Sequence, residues 1–311
     1  KGTITIDGKT YALKDTRFPT IDPKNPEELS ADEKRCMERL RRSFLSSQQL
    51  VQHMRFLVDR GSMWLCRDEH LVFHGCVPVD KEGRFLSLAI DGEPRSGRAL
   101  LDAFERVVVR CAEGSARLED LDLLWYLWSG PVSPCFGKDR ITTLERDLIA
   151  DKASHTETKN AYFELIHDKA FCERILAEFG VDPERGLIVN GHVPVKIEKG
   201  ESPLKKSGKA ITIDGAFSEA YGDHGYTLVL EADRTFLAMH HHFESVEAAV
   251  RDGVDIIPTT TPVREWARPR RVADTERGAA IRAEIQLLEK LVAAYRRREP
   301  GKLDYRPSIS G

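Results

Sequence analysis

Residues 187–194 read LIVNGHVP, an apolar run followed by an abrupt turn. The β-branched residues favour a buried strand, the Asn-Gly pair favours a turn, and Pro194 cannot donate to a strand ladder. His192 is therefore expected just beyond the end of a strand. Ligands of α/β proteins bind at strand ends, so His192 is a candidate functional residue. Taken alone, a histidine in a turn is more often structural.

A second stretch, residues 71–78, reads LVFHGCVP and repeats this order of apolar strand, histidine, turn and proline. His74 and His192 are far apart in the sequence, but strand ends can converge at one edge of a sheet. Imidazole is a common neutral ligand of divalent transition metals. The pair therefore predicts a metal site, and two imidazoles need further ligands to complete a coordination sphere.

Composition excludes several functional classes. The 311 residues are 41% hydrophobic and 31% charged, and the formal net charge of -3 argues against a general nucleic-acid surface. No apolar run approaches the roughly 20 residues that span a bilayer. The six cysteines are spread singly without a C-x-x-C pair, which is typical of reduced thiols. We therefore expect a cytoplasmic protein that binds neither nucleic acid nor membrane.

The order of predicted elements indicates an α/β protein with a β-rich core that a helical insertion interrupts. Residues 1–95 contain strands, two helices and His74. Residues 96–180 form the helical insertion. Residues 181–311 return to strands, contain His192 and carry the last long helix.

Several local patterns predict helix boundaries and faces. Capping boxes begin at Ser30 and Thr142, and Gly61 and Gly180 end helices. On the helix around Trp125, helical spacing groups the apolar side chains of Leu121, Leu124, Trp125 and Trp128. The acidic residues Glu119, Asp120 and Asp122 are expected on the solvated face of the same helix.

Residues 130–140, GPVSPCFGKDR, form a Gly/Pro-rich loop that ends in two cations before a helix. Backbone N–H groups at a helix start, together with Lys138 and Arg140, would suit a phosphate group. A solvated loop without a ligand is an equally good interpretation.

Three other patterns are weaker evidence for a functional site. Cys111 and Arg117 have the C-x5-R spacing of cysteine-dependent phosphatases, but Cys111 is expected at the end of a helix, so the match is interpreted as coincidence. Residues 240–242 are three histidines that alternate in direction on a strand, so at most two can share a site. Residues 209–217 read as a strand that ends at Asp214, either as an ordinary turn or beside His192.

Several long strings resemble the class III fructose-1,6-bisphosphatases of bacteria. They include KGTITIDGKTYALKDTRFPTIDP at residues 1–23, the HGCVP segment, WYLWSGPVSPCFGKDRITTLERDLIADK at 125–152, NGHVPVK at 190–196 and GESPLKKSGKAITIDGAFSEAY at 200–221. The similarity runs from residue 1 to about residue 298. The resemblance implies a calcineurin-like α/β/β/α sandwich with two metal ions, manganese in this class.

Carried over to this sequence, the resemblance makes His74 and His192 ligands of the second metal ion. It also places Lys138, Arg140 and Arg146 in the family's basic helical segment, where they would bind substrate phosphate. The implied reaction is the hydrolysis of fructose 1,6-bisphosphate to fructose 6-phosphate and phosphate, in the direction of gluconeogenesis.

The sequence also departs from the family pattern. Ala216 stands where a second glycine is usual, and His241 and His242 replace the usual Glu-Pro. The Gly-Asp-x-His, Gly-Asp-x-x-Asp-Arg and Gly-Asn-His-Asp motifs do not occur in these residues. We therefore expect a C-terminal portion that is inactive alone and is completed by a missing N-terminal half. The alternative is a non-catalytic phosphometabolite-binding or regulatory module, and a homo-oligomer is left open.

Overall fold

Residues 2–196, 199–214, 225–240, 245–252 and 258–297 are described by the computed structural model and form a mixed arrangement of strands and helices. The strands are β1 (Thr3–Ile6), β2 (Lys9–Ala12), β3 (Trp64–Arg67), β4 (His70–Phe73), β5 (Ser87–Ile90), β6 (Glu93–Ser96), β7 (Leu187–Asn190), β8 (Ala210–Thr212), β9 (Gly225–Leu230), β10 (Arg234–His240) and β11 (Thr259–Glu265). The helices are α1 (Ala31–Ser46), α2 (Gln48–Arg60), α3 (Gly97–Ala112), α4 (Leu118–Ser129), α5 (Thr143–Leu148), α6 (Tyr162–Leu165), α7 (Lys169–Glu178), α8 (Val246–Asp252) and α9 (Glu276–Arg296). The predicted α/β class is confirmed, and the calcineurin-like sandwich stays a prediction.

The chain divides into two units. The first consists of Lys1–Met63 and Cys76–Tyr162, and the second of Trp64–Gly75 and Phe163–Gly311. Strand β4 belongs to the second unit because it pairs with β7, which lies more than 100 residues further along the chain. The predicted division into residues 1–95, 96–180 and 181–311 follows the order of elements and stays a prediction.

The second unit contains a four-stranded sheet with the order β3-β4-β7-β8. Strands β3 and β4 are antiparallel, whereas β4, β7 and β8 are parallel to one another. All four residues of β7 are buried, as expected for an apolar strand between two parallel neighbours. A three-stranded antiparallel sheet, β11-β10-β9, belongs to the same unit.

A two-residue turn joins β3 to β4. Asp68 and Glu69 both have positive φ, 49° and 67°, which is the backbone of the tight hairpin turn that matches strand twist. Non-glycine residues are strained in this region, and the Glu276 carboxylate stabilises them by accepting both backbone N–H groups at 2.7 Å. The turn pairs Arg67 with His70 and so fixes the start of β4.

Three predicted helix boundaries are confirmed in the described part of the chain. Ser30 begins α1 with a capping box, since its hydroxyl accepts the Glu33 N–H at 3.3 Å and the Glu33 carboxylate accepts the Ser30 N–H at 2.7 Å. Gly61 caps the end of α2. Gly180 lies just beyond α7 with φ of 73°, a conformation that glycine adopts without steric cost.

The core of the first unit forms where α3 and α4 pack together. Apolar side chains from β5 and both helices make one cluster, which includes Ile90, Leu100, Phe104, Val107, Leu123 and Leu127. The apolar residues that α4 buries are therefore Leu123 and Leu127. The four that the spacing groups on its apolar face, Leu121, Leu124, Trp125 and Trp128, are exposed.

The expectation of a solvated acidic face on α4 is wrong at Asp120. This carboxylate is fully buried and accepts hydrogen bonds from Nε of Arg117 at 3.1 Å and Nε of Arg110 at 3.2 Å. Those bonds hold the pKa of Asp120 well below its ordinary value. Asp120 is buried because it shares the inward face of α4 with the buried leucines, three and seven positions further on.

Within the described residues, none of the helices is both long enough and apolar enough to cross a membrane. All six cysteines are unpaired.

Candidate metal-binding site

The parallel register brings three strand ends to one edge of the four-stranded sheet. Val72 is paired with Val189, and Asn190 is paired with Thr212. His74 follows β4 by one residue, His192 follows β7 by two, and Asp214 follows β8 by two. This carboxyl edge is where ligands of parallel sheets bind.

The two predicted histidines are in contact. Nε2 of His74 lies 3.2 Å from Nδ1 of His192, and the ring centroids are 5.0 Å apart at an interplanar angle of 64°. Two nitrogen ligands at about 2.0–2.1 Å from one ion lie roughly 3 Å apart, so this separation fits a shared ion. It also fits a hydrogen bond between the two rings.

The backbone at His192 is strained. His192 has φ of 68°, and the Val193 N–H donates to the Gly191 carbonyl at 2.9 Å, which closes a three-residue γ-turn. The Gly191 N–H donates to the His74 carbonyl at 2.8 Å and anchors the turn to the neighbouring strand end. A positive φ at a non-glycine residue persists only where its surroundings enforce it, and such strain is concentrated at functional sites.

The side chain of Asn190 links the ends of the three strands. Its Nδ2 donates to the Gly75 carbonyl at 2.9 Å, and its Oδ1 accepts the Thr212 hydroxyl at 3.0 Å. Both side chains are buried. One buried amide thus links the ends of β4, β7 and β8, two residues before His192. Sequence reasoning used Asn190 only as a turn signal, although a polar residue at the end of a buried apolar strand is itself a signal for such a role.

The electrostatics favour neutral imidazole at His74. Burial is the main cause that lowers the pKa of His74, the neighbouring His192 adds to it, and the negative charge of Asp214 opposes it. A neutral ring keeps a nitrogen lone pair available for a metal ion. Imidazole suits several transition metals and carboxylate oxygen suits manganese, so this edge offers both kinds of donor.

The described residues do not include a group of three or more His, Cys, Asp or Glu side chains placed to hold one ion. The geometry therefore provides a pair of nitrogen donors, and the two-ion site stays a prediction. His240 lies elsewhere, on β10, where its Nε2 is 2.7 Å from the Thr227 hydroxyl. His241, His242 and Ala216 lie outside the described residues.

The predicted phosphate-binding cations all have partners within the first unit. Nζ of Lys138 is 2.8 Å from the Glu157 carboxylate, and Nη1 of Arg140 is 2.5 Å from that of Asp7. The third cation, Arg146, donates from Nε to the Thr142 hydroxyl at 3.0 Å. Their role in binding substrate phosphate stays a prediction.

Glu157 is the centre of this ionic cluster. Its carboxylate accepts both the Thr142 N–H, at 3.0 Å, and the Thr142 hydroxyl, at 2.9 Å. Helix α5 therefore begins at the predicted place, directly after Thr142. The predicted capping box is wrong, because the Thr142 hydroxyl does not cap the helix. The bond from Lys138 is the main cause that lowers the pKa of Glu157 to about 2.

The Gly/Pro-rich loop uses several backbone N–H groups internally. The hydroxyl of Ser133, which is fully buried, accepts the N–H groups of Cys135 at 3.1 Å and Phe136 at 3.2 Å. These two donors are bonded inside the loop rather than directed at a ligand. Burial also raises the pKa of the Cys111 thiol, which opposes the thiolate that a cysteine-dependent phosphatase needs.

A comparison with known protein families shows which family the chain belongs to. The family described as "Firmicute fructose-1,6-bisphosphatase" matches residues 1–297. The chain belongs to this family. The resemblance to class III fructose-1,6-bisphosphatases is confirmed, and no solved structure matches the chain.

Similar proteins carry the corresponding name. The fructose-1,6-bisphosphatase class 3 of Alkaliphilus metalliredigens is 43% identical over 305 residues, which are 95% of this chain and 46% of that relative. That of Clostridium novyi is 42% identical, over 96% of this chain and 46% of the relative. That of Fusobacterium nucleatum is 42% identical, over 95% of this chain and 47% of the relative.

The chain spans about half the length of these relatives of the Firmicute fructose-1,6-bisphosphatase family. The expectation of an inactive C-terminal portion that lacks catalytic motifs, completed by a missing N-terminal half, is not supported. The matches to these relatives extend over 95% or 96% of the chain.

Proposed function

We propose that this protein hydrolyses fructose 1,6-bisphosphate to fructose 6-phosphate and phosphate, and that His74 and His192 bind a divalent metal ion, manganese. Membership of the Firmicute fructose-1,6-bisphosphatase family over residues 1–297 is the observation that carries the proposed reaction. The 3.2 Å approach of the two histidine nitrogens at the carboxyl edge of the sheet supports the proposed ligand pair.

Each residue of the site has a distinct part in this proposal. The His74 and His192 rings supply the nitrogen donors, and burial keeps His74 neutral and ready to donate its lone pair. The γ-turn fixes where the His192 ring stands, and Asn190 fixes the turn by linking three strand ends. A divalent ion, when bound, supplies the positive charge that polarises a phosphoryl oxygen.

Cations of the first unit are the proposed contacts to substrate phosphate. Arg140 and Arg146 keep 45% and 56% of their side-chain surface exposed, so each can reach a ligand while retaining its internal partner. Lys138 is 34% exposed and is held by Glu157. We therefore rank the two arginines above Lys138 as contacts to substrate phosphate.

The cytoplasmic location is a proposal that rests on cysteine usage.

The test measures phosphate release from fructose 1,6-bisphosphate by the protein that the native gene encodes, with Mn²⁺ and after chelation. His74→Ala and His192→Ala should each abolish Mn²⁺-dependent release and lower the bound manganese measured by atomic emission. His53→Ala, an exposed histidine on α2, is the matched control and should change neither. Normal metal content and activity in His74→Ala would refute the ligand assignment.

Calorimetric titration separates the proposal from its alternative. A regulatory module would bind fructose 1,6-bisphosphate and release no phosphate under any metal condition. Phosphate release that survives chelation would instead point to chemistry that does not depend on the histidine pair.

A further inference from the structure

Helix α9 has two apolar faces. Leu287 and Leu291 are partly buried and Ala294 is buried, so this face packs against the protein. A second stripe is exposed to solvent, with exposed fractions of 38% for Ile281, 48% for Ile285, 47% for Leu288, 48% for Val292 and 63% for Tyr295. The side chains of Ile285, Leu288 and Val292 line a shallow depression along the helix. Unlike an ordinary surface helix, α9 leaves this apolar stripe in water.

The spacing of the exposed stripe is that of a helix pair. Ile281, Ile285, Leu288, Val292 and Tyr295 follow one another at intervals of four, three, four and three residues. Apolar residues every 3.5 positions form the seam of a coiled coil, where they occupy the a and d positions of a heptad. The 21 residues of α9 extend for about 30 Å, which is long enough for two heptads of contact.

The stripe is complementary to itself when two helices run antiparallel. With a two-fold axis between positions 286 and 287, Ile281 of one copy faces Val292 of the other, and Ile285 faces Leu288. An antiparallel pair places a residues opposite d residues, and this register satisfies that rule along the exposed stripe.

Charges beside the stripe favour the same arrangement. In the antiparallel register, Arg282 of each copy flanks Glu289 of the other, so the interface contains two opposite-charge pairs. A parallel in-register pair would instead bring Glu284 close to Glu289 and Arg277 close to Arg282, which are like charges. Nη1 of Arg282 donates to the Ala273 carbonyl at 2.7 Å, which holds the guanidinium on this flank of the helix.

We propose that two copies of this chain associate through α9 as an antiparallel helix pair, with Ile281, Ile285, Leu288 and Val292 at its centre. The interface is a surface separate from the histidine pair and does not depend on the proposed reaction.

Sedimentation equilibrium of the protein encoded by the native gene tests this interface across a concentration series. The mass should rise from one copy to two. Leu288→Glu should raise the dissociation constant at least about tenfold, because it places a charge in the centre of the seam. Ala283→Glu, at an exposed position of α9 outside the stripe, is the matched control and should leave the dissociation constant unchanged.

A charge exchange tests the antiparallel orientation. Arg282→Glu and Glu289→Arg should each weaken the dimer, because each creates two like-charge pairs. The double variant should restore the native dissociation constant, and a local defect at Ala273 would not produce that restoration. A double variant that stays as weak as the single variants would overturn the antiparallel arrangement.

Two results would overturn the proposal as a whole. The first is a protein that remains a single copy up to about 100 µM, a concentration at which a specific interface is normally occupied. The second is a Leu288→Glu variant that melts at a lower temperature with unchanged mass, since the stripe would then be covered by another part of the same polypeptide.

Discussion

Nε2 of His74 lies 3.2 Å from Nδ1 of His192, although the two residues follow different strands and are 118 positions apart in the chain. The parallel pairing of β4 with β7 creates this contact, because it aligns the two strand ends at one edge of the sheet. The histidines of the two sequence motifs therefore meet at one point of this edge.

The strained backbone at His192 lowers the stability of the fold, whereas the His192 side chain is needed for the proposed metal binding. Glycine adopts φ of 68° without steric cost, whereas alanine pays the penalty of the left-handed region. We expect His192→Gly to unfold with a free energy about 1 kcal/mol higher than that of His192→Ala. Both variants should lose manganese equally. Denaturant unfolding gives the first result and metal analysis the second; equal stability of the two variants would show that the γ-turn is not enforced.

Asn190 should affect both the fold and the proposed metal site. Asn190→Ala leaves the Gly75 carbonyl and the Thr212 hydroxyl without their buried partner, which should lower the unfolding free energy by about 1–3 kcal/mol. Because the side-chain link between the three strand ends is then lost, the affinity for Mn²⁺ should fall roughly 10–100-fold. Calorimetric titration with Mn²⁺ measures the affinity. Asn25→Ala, at an exposed turn, is the control and should change stability by less than about 0.5 kcal/mol.

Burial distinguishes two neighbouring acids on α4. Asp120→Asn removes a buried carboxylate that pairs with Arg110 and Arg117, so it should lower the melting temperature substantially. Asp122→Asn, an exposed member of the same acidic run, should have almost no effect. Differential scanning calorimetry compares the two variants. Similar melting temperatures would contradict the buried ion pairs described here.

Glu157 should make the protein sensitive to acid. Its pKa in the folded state, lowered to about 2, lies below the ordinary value of 4.5, so its stabilising contribution is complete above pH 4.5 and disappears as the pH falls toward 2. Glu157→Gln should be less stable than the native protein at neutral pH and should lose less stability over this acid range. Unfolding curves at several pH values measure the slopes. Glu119→Gln, an exposed acid on α4, is the control and should keep the native pH dependence.

Much of the local structure could be predicted from the sequence because its causes lie within a few residues. The capping box at Ser30 and the glycines that end α2 and α7 depend on hydrogen bonds and backbone preferences of adjacent residues. The apolar run before His192 likewise requires a buried strand, whatever its neighbours are. The α/β class and the histidine candidates follow from these local signals.

Other features depended on which distant segments meet. Helical spacing alone does not tell which side of α4 faces α3, so it predicts a solvated Asp120 and an apolar face that includes the exposed Trp125. The partners of Arg140 and Lys138, Asp7 and Glu157, are likewise known only once the chain has folded.

The sequence by itself determined the strands, the turns and the identity of the two histidines, because hydrogen-bonding preference and side-chain alternation act between near neighbours. Only the tertiary structure decided that β4 lies beside β7, that Asn190 joins three strand ends, and that α9 presents a second apolar stripe to solvent. The physical reason is that these arrangements depend on burial and pairing between residues far apart in the chain, which local preference does not encode.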